Sequence, residues 1–146
     1  MAYSSGTRDF RFNVPDGWVD RSMIAWSAPA TPGVALPPNI MVAYDAPHKG
    51  ELLASYVDRQ LKDLSSKAKN FRLELRRDVN LKGREAVEIM FQWDAGGGLM
   101  KQRQVFSLLS DGRAVSFVNT AAAPEFERAE PFFSGMWNSL DWNSAA

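Results

Sequence analysis

Three consecutive stretches in the second half of the chain, Glu85–Trp93, Leu99–Leu108 and Arg113–Thr120, alternate residue character with period two and are separated by turns containing Gly96-Gly97-Gly98 and Ser110-Asp111-Gly112. Such alternation with short Gly turns commits the chain to an antiparallel meander, because successive side chains on a pleated strand must leave on opposite faces. In the first stretch Val87, Ile89, Phe91 and Trp93 share a face, opposite Ala86, Glu88, Met90 and Gln92. In the second, Met100, Gln102, Gln104, Phe106 and Leu108 oppose Leu99, Lys101, Arg103, Val105 and Ser107. Two glutamines therefore interrupt an otherwise apolar face. They belong either to a solvated edge strand or to a binding surface.

The rest of the chain supplies partners for this meander. Arg8–Val14 alternates Phe10, Phe12 and Val14 with polar residues and runs into the turn Pro15-Asp16-Gly17. Arg21–Ser27 places Ile24 and Trp26 on one face and Met23 and Ala25 on the other, so contact on both sides is expected. Ala28–Pro38 holds four of the eight prolines and cannot join a ladder, so it reads as a surface loop. Asn39–Tyr44 is a short apolar run of the kind buried on both faces, ended by Pro47-His48-Lys49-Gly50.

Glu51–Lys69 is the clearest helix, with Leu53, Tyr56, Val57, Leu61 and Leu64 on one side and Glu51 placed to suit the dipole. Gln60 falls inside that apolar stripe, a third glutamine out of pattern. Phe71–Leu81 alternates again and turns at Asn80-Leu81-Lys82-Gly83 into the meander. After Thr120, Pro124 and Pro131 stand where prolines start helices, and Phe133, Met136, Trp137 and Leu140 form a second amphipathic stripe. The order of strands, helix, strands, helix predicts one α+β domain over residues 1–146, built on an antiparallel sheet of about six or seven strands with two main flanking helices.

Composition narrows the function. Seventeen basic and seventeen acidic residues balance, leaving neither a stripe for nucleic acid nor a polybasic tail for anionic lipid. The absence of cysteine removes thiolate chemistry, disulfides and the usual zinc sets, and no metal-ligand spacing occurs. His48, the only histidine, sits in a Pro/Gly loop and is expected to be solvated there. The acid pairs Asp16/Asp20 and Glu125/Glu127 lie in turns or at helix starts, where capping accounts for them. No catalytic residue, cofactor or metal is expected. No stretch reaches the ~20 apolar residues of a membrane span and the start lacks a signal-peptide core, so a soluble, cytoplasmic protein without direct membrane insertion is expected.

Four collinear motifs, Phe12-Asn13-Val14-Pro15-Asp16-Gly17-Trp18-Val19-Asp20-Arg21-Ser22, Tyr56-Val57-Asp58-Arg59-Gln60-Leu61, Gly83-Arg84-Glu85-Ala86-Val87 and Arg103-Gln104-Val105-Phe106, span nearly the whole chain. Together they resemble the DcrB-like family, and within it the Eag chaperones of type VI secretion. The resemblance implies a PsbP-like fold with a curved sheet and a cytoplasmic homodimer that shields the N-terminal transmembrane helices of a secreted toxin before export. It also implies a grip at Met23, Ala25, Gln60 and Gln104, to which the patterning adds Gln102. Ala25 is smaller than the branched aliphatic of that pattern, and the Pro-rich loop departs from it. The competing readings are a PsbP-like adaptor for a soluble protein and a small α+β enzyme with a pocket under the Pro-rich loop.

Overall fold

The computed structural model describes residues 3–6, 9–34, 36–143 and 146, the first four as backbone only. Strands β3 (Met23–Ser27), β4 (Asn39–Asp45), β5 (Arg72–Leu81), β6 (Arg84–Asp94), β7 (Leu99–Leu108) and β8 (Ala114–Ala122) form one antiparallel sheet in the order β3-β4-β8-β7-β6-β5. The meander is thus β6-β7-β8, as its alternation predicts. A separate hairpin of β1 (Tyr3–Gly6) and β2 (Arg11–Val14) stands apart from this sheet. The strand expected from Arg8 is shorter than its alternation, and Arg8 itself lies outside the described residues, as does Ala35 of the Pro-rich loop.

The tightest connection is the two-residue turn between β5 and β6. Lys82 and Gly83 both take positive φ, 52° and 91°, as a type I′ turn demands to match the twist of the strands it joins.

Two helices cover opposite faces. Helix α1 (Leu53–Lys67) lays Leu53, Tyr56 and Val57, with half-buried Leu61 and Leu64, on Val87, Ile89, Phe91 and Phe106. Helix α2 (Phe126–Ser139) follows a 3-10 turn at Ala123–Glu125 and buries Phe126, Ala129 and Phe133 beside Ala121. Between α2 and the C-terminal segment, a third apolar cluster joins Leu81, Ala86, Val105, Leu109, Val115 and Phe117 to Trp137 and Trp142. Strands β6 and β7 are therefore packed on both sides, which is why their alternating residues are apolar in both phases.

Several local expectations fail for identifiable reasons. Glu51 precedes α1, whose first turn holds no acid; its carboxylate instead accepts the His48 N–H at 3.0 Å and two bonds from Arg59 at 2.8 and 3.0 Å. A bidentate arginine and the loop amide outbid the dipole. Pro131 lies inside α2, not at its start. It forfeits one backbone bond, and its ring is exposed while Ala129 and Phe133 hold the helix to the sheet from the other side. The run Asn39–Tyr44, expected to be buried on both faces, is half-buried throughout, with a cleft open beside Val42 and Tyr44 on the α2 side and neither face fully covered.

Candidate client-binding surface

The strand order decides what the glutamines are. Strand β7 has two strands on one side and three on the other, so Gln102 and Gln104 occupy the interior of the sheet and the solvated-edge alternative fails. Both are half-buried and bonded in series: Gln104 Nε2 donates to Gln102 Oε1 at 2.5 Å, and Gln102 Nε2 donates to Thr120 Oγ1 at 2.8 Å.

Cross-strand register places the predicted residues on the α1 side in adjoining rows. One row runs Ala25, Met41, Val118, Gln104 and Ile89; the next runs Met23, Ala43, Ser116, Phe106 and Val87; a third runs Ser27, Asn39, Thr120, Gln102 and Phe91. Helix α1 packs mainly on the β6 and β7 end of these rows, its cluster reaching Ala114 of β8. Along the middle row Val118 is still buried; beyond it half-buried Met41 and Ala43 form a floor of small and flexible apolar residues that rises in exposure to Met23, 63% accessible at the edge strand. Three inter-strand steps of ~4.8 Å make this strip roughly 14 Å wide, enough for a helix whose diameter with side chains is about 10–12 Å.

Gln60 stands at the wall of the strip. Tyr56 packs edge-on against Phe106 with ring centroids 6.0 Å apart, and its hydroxyl donates to Asp45 Oδ2 at 2.8 Å on the open side. Burial and the Asp45 carboxylate raise the Tyr56 pKa, so the phenol stays a neutral donor. Farther along the helix, Leu64 and Lys67 line a cleft with Phe91, Trp93 and Gln102. Helix α1 therefore runs antiparallel to β7, and Gln60, one turn after Tyr56, stands level with Gln104. The structure thus brings Gln102 and Gln104 to one side of the strip and Met23 and Ala25 to the other, while helical spacing alone sets Gln60 between Tyr56 and Leu64 on the same side.

Sequence reasoning overlooked Met41 and Ala43, which complete the half-buried floor, and the buried Val118 and Thr120 that join it to β7. Their signal was present only as a pairing partner: each is unremarkable in its own strand and becomes informative once β4 and β8 are set between β3 and β7.

A polar cluster on the far side fixes which way β7 faces. Arg103 donates to Glu88 at 2.8 Å, Glu130 at 2.7 Å and Asn119 at 3.3 Å, Arg77 donates to Glu88 at 2.6 Å, and the Trp137 indole donates to Asn119 at 3.1 Å. A slip of one residue would turn Arg103 toward α1 and drive both glutamines into the α2 core, so this cluster and the amide series support one register. Among the described residues no group of three or more histidines, cysteines or carboxylates is placed to hold a metal. The carboxylates of Asp20 and Glu125 are engaged with Arg113 and Arg128, at 2.8 and 2.9 Å. Exposed His48 offers its backbone N–H to Glu51.

The model of the family described as DcrB matches residues 10–139. The chain belongs to the DcrB family. It is 34% identical over 93 residues to a Pseudomonas aeruginosa protein named Effector EagT6, a match spanning 64% of this chain and 64% of that relative. This supports the Eag branch to which the motifs point. In fold it is similar to PA94 of Pseudomonas aeruginosa, described as a protein of unknown function and putative regulator, with TM-score 0.83, 24% identity and 97% of both chains covered. LpqN of Mycobacterium tuberculosis, described as involved in cell envelope biogenesis, aligns with TM-score 0.57 and 17% identity over 81% of this chain and 73% of its own. Cyanobacterial PsbP of Synechocystis aligns with TM-score 0.55 and 15% identity over 98% and 92%, which bears out the PsbP-like fold class.

Proposed function

We propose that this DcrB-family chain is a chaperone associated with type VI secretion effectors, and that it binds and shields the N-terminal transmembrane helices of a cognate toxin before export. The observation that carries the reading is the open strip between α1 and β3, an apolar floor about one helix wide with three glutamines along one wall. A transmembrane helix presents ~20 apolar residues to water and aggregates unless they are covered. Small-residue faces on such helices allow close approach, and a side-chain amide beside them can both donate and accept. The floor supplies hydrophobic cover, and Gln60, Gln102 and Gln104 supply fixed polar points that select a register. The 34% identity to the protein named Effector EagT6 supports the same partner class, and the reading takes the chain to work in the cytoplasm as a homodimer.

The test starts from the neighbouring reading frames, one of which should encode an apolar N-terminal segment ahead of a toxin domain, and proceeds by co-expression with that segment. The segment should remain soluble and co-purify with the wild-type chain, and should be lost when Met23→Asp places a charge on the floor. A segment that stays insoluble in the presence of the chain, or that Met23→Asp retains in full, refutes the reading.

A further inference from the structure

Of the twelve large apolar side chains exposed among the described residues, seven fall between Phe10 and Trp26. They divide between the hairpin with its following turn (Phe10, Phe12, Trp18, Val19) and strand β3 (Met23, Ile24, Trp26). Phe10 and Phe12 stack with centroids 6.0 Å apart, yet Phe10, Phe12 and Trp18, which are 57%, 57% and 68% exposed, join none of the three apolar clusters. After the hairpin, Asp20 ties the chain to the body, accepting the Ser22 N–H at 2.9 Å and an Arg113 bond at 2.8 Å. A lone two-stranded hairpin is marginal in water, and this one carries its aromatics outward.

The face of β3 turned away from the client strip has a matching deficit. Ile24 and Trp26 project there at 45% and 57% exposure, and beside Ile24 opens a cleft of about 450 Å³ lined by Val42, Tyr44, Phe117, Leu140 and Trp142. We infer that the hairpin is an arm that docks on a second copy of this chain, its Phe10, Phe12 and Trp18 covering Ile24, Trp26 and the cleft of the partner, with the exchange reciprocated about a two-fold axis. A second copy is favoured by area and by self-complementarity. Large aromatic side chains carry ~150–250 Å² each, so the exposed parts of Phe10, Phe12, Trp18, Trp26, Val19 and Ile24 amount to roughly 600–800 Å². That approaches the ~800 Å² per partner of a standard interface. Donor and acceptor surfaces lie on the same protomer, so an isologous pair closes with nothing left over. The docking face is opposite the client strip, which leaves Met23 and Ala25 free. This inference rests on the homodimer of the proposed function and assigns its contact.

Because the chain lacks cysteine, single cysteines report the contact directly. A tagged Phe12→Cys chain mixed with an untagged Ile24→Cys chain should give a covalent heterodimer on mild oxidation, and Phe132→Cys, exposed on α2, should not replace Ile24→Cys in the pair. In parallel, Phe10→Ser with Phe12→Ser should raise the dimer dissociation constant ~100-fold or more, as expected when interface anchors are removed, with the thermal transition of the body unchanged. A double variant that dimerises like wild type, a heterodimer yield no higher than with Phe132→Cys, or a wild-type chain monomeric at tens of micromolar overturns the arm. Client co-purification by a monomeric double variant separates this outcome from failure of the chaperone reading.

Discussion

Replacing Gln104 separates a residue that serves the fold from one that serves a client. Its side chain is half-buried between Ile89 and Val118 in its row, and it donates a 2.5 Å hydrogen bond to Gln102. Gln104→Leu removes that bond, about 0.5–1.5 kcal/mol for a typical intramolecular hydrogen bond. Gln102 keeps Thr120, and the leucine adds apolar contact with Ile89 and Val118 worth a comparable amount, so the net change in stability should fall within about 1 kcal/mol. Binding is not offset in this way, because the amide has no replacement against a small-residue helix face. A loss of about 1 kcal/mol, roughly fivefold in affinity, is expected. Gln104→Glu is the harsher change. It sets a carboxylate where a desolvating helix must lie and should abolish co-purification while leaving the chain folded. Urea melts measure the first quantity, and titration of the client segment measures the second. A Gln104→Glu chain that binds its client undiminished places the groove elsewhere, and one that cannot fold makes Gln104 a core residue.

The far side of β7 responds in the opposite sense. Arg103→Met should cost on the order of 2–4 kcal/mol in urea unfolding, since Glu88, only 7% exposed, is left with Arg77 alone, while client affinity per folded molecule stays unchanged. Glu51 predicts an acid response: its bonds to Arg59, with the His48 N–H, hold the carboxyl at about 2, below its ordinary 4.5. The charged form is therefore favoured in the folded state. Its contribution is complete above pH 4.5 and disappears as the pH falls toward 2, so acid titration of stability should be steeper for wild type than for Glu51→Gln over that window. Equal slopes would show that the pair is formed equally in the unfolded chain.

Much of the architecture was legible in the chain because it depends on local periodicity. Alternation specified β6, β7 and β8, the three- and four-residue spacing of Leu53, Val57, Leu61 and Leu64 specified α1, and Lys82-Gly83 specified the turn between β5 and β6. The glutamines were visible as violations of those periods. Periodicity assigns a residue to a face but says nothing about which face of which neighbour it meets. Only the strand order put β4 and β8 between β3 and β7, made Gln104 an interior residue in the row of Ala25, and brought Met41 and Val118 into the floor. Pro131 and Glu51 were misplaced for the same reason. The tertiary packing of Ala129 and Phe133 overrides a proline's local cost, and a bidentate arginine eight residues away outweighs a helix dipole. Local preferences are worth about 1–3 kcal/mol each, whereas register and burial act on whole rows of side chains at once, so the sequence alone determined the elements and their faces, while the tertiary structure decided which faces were left open.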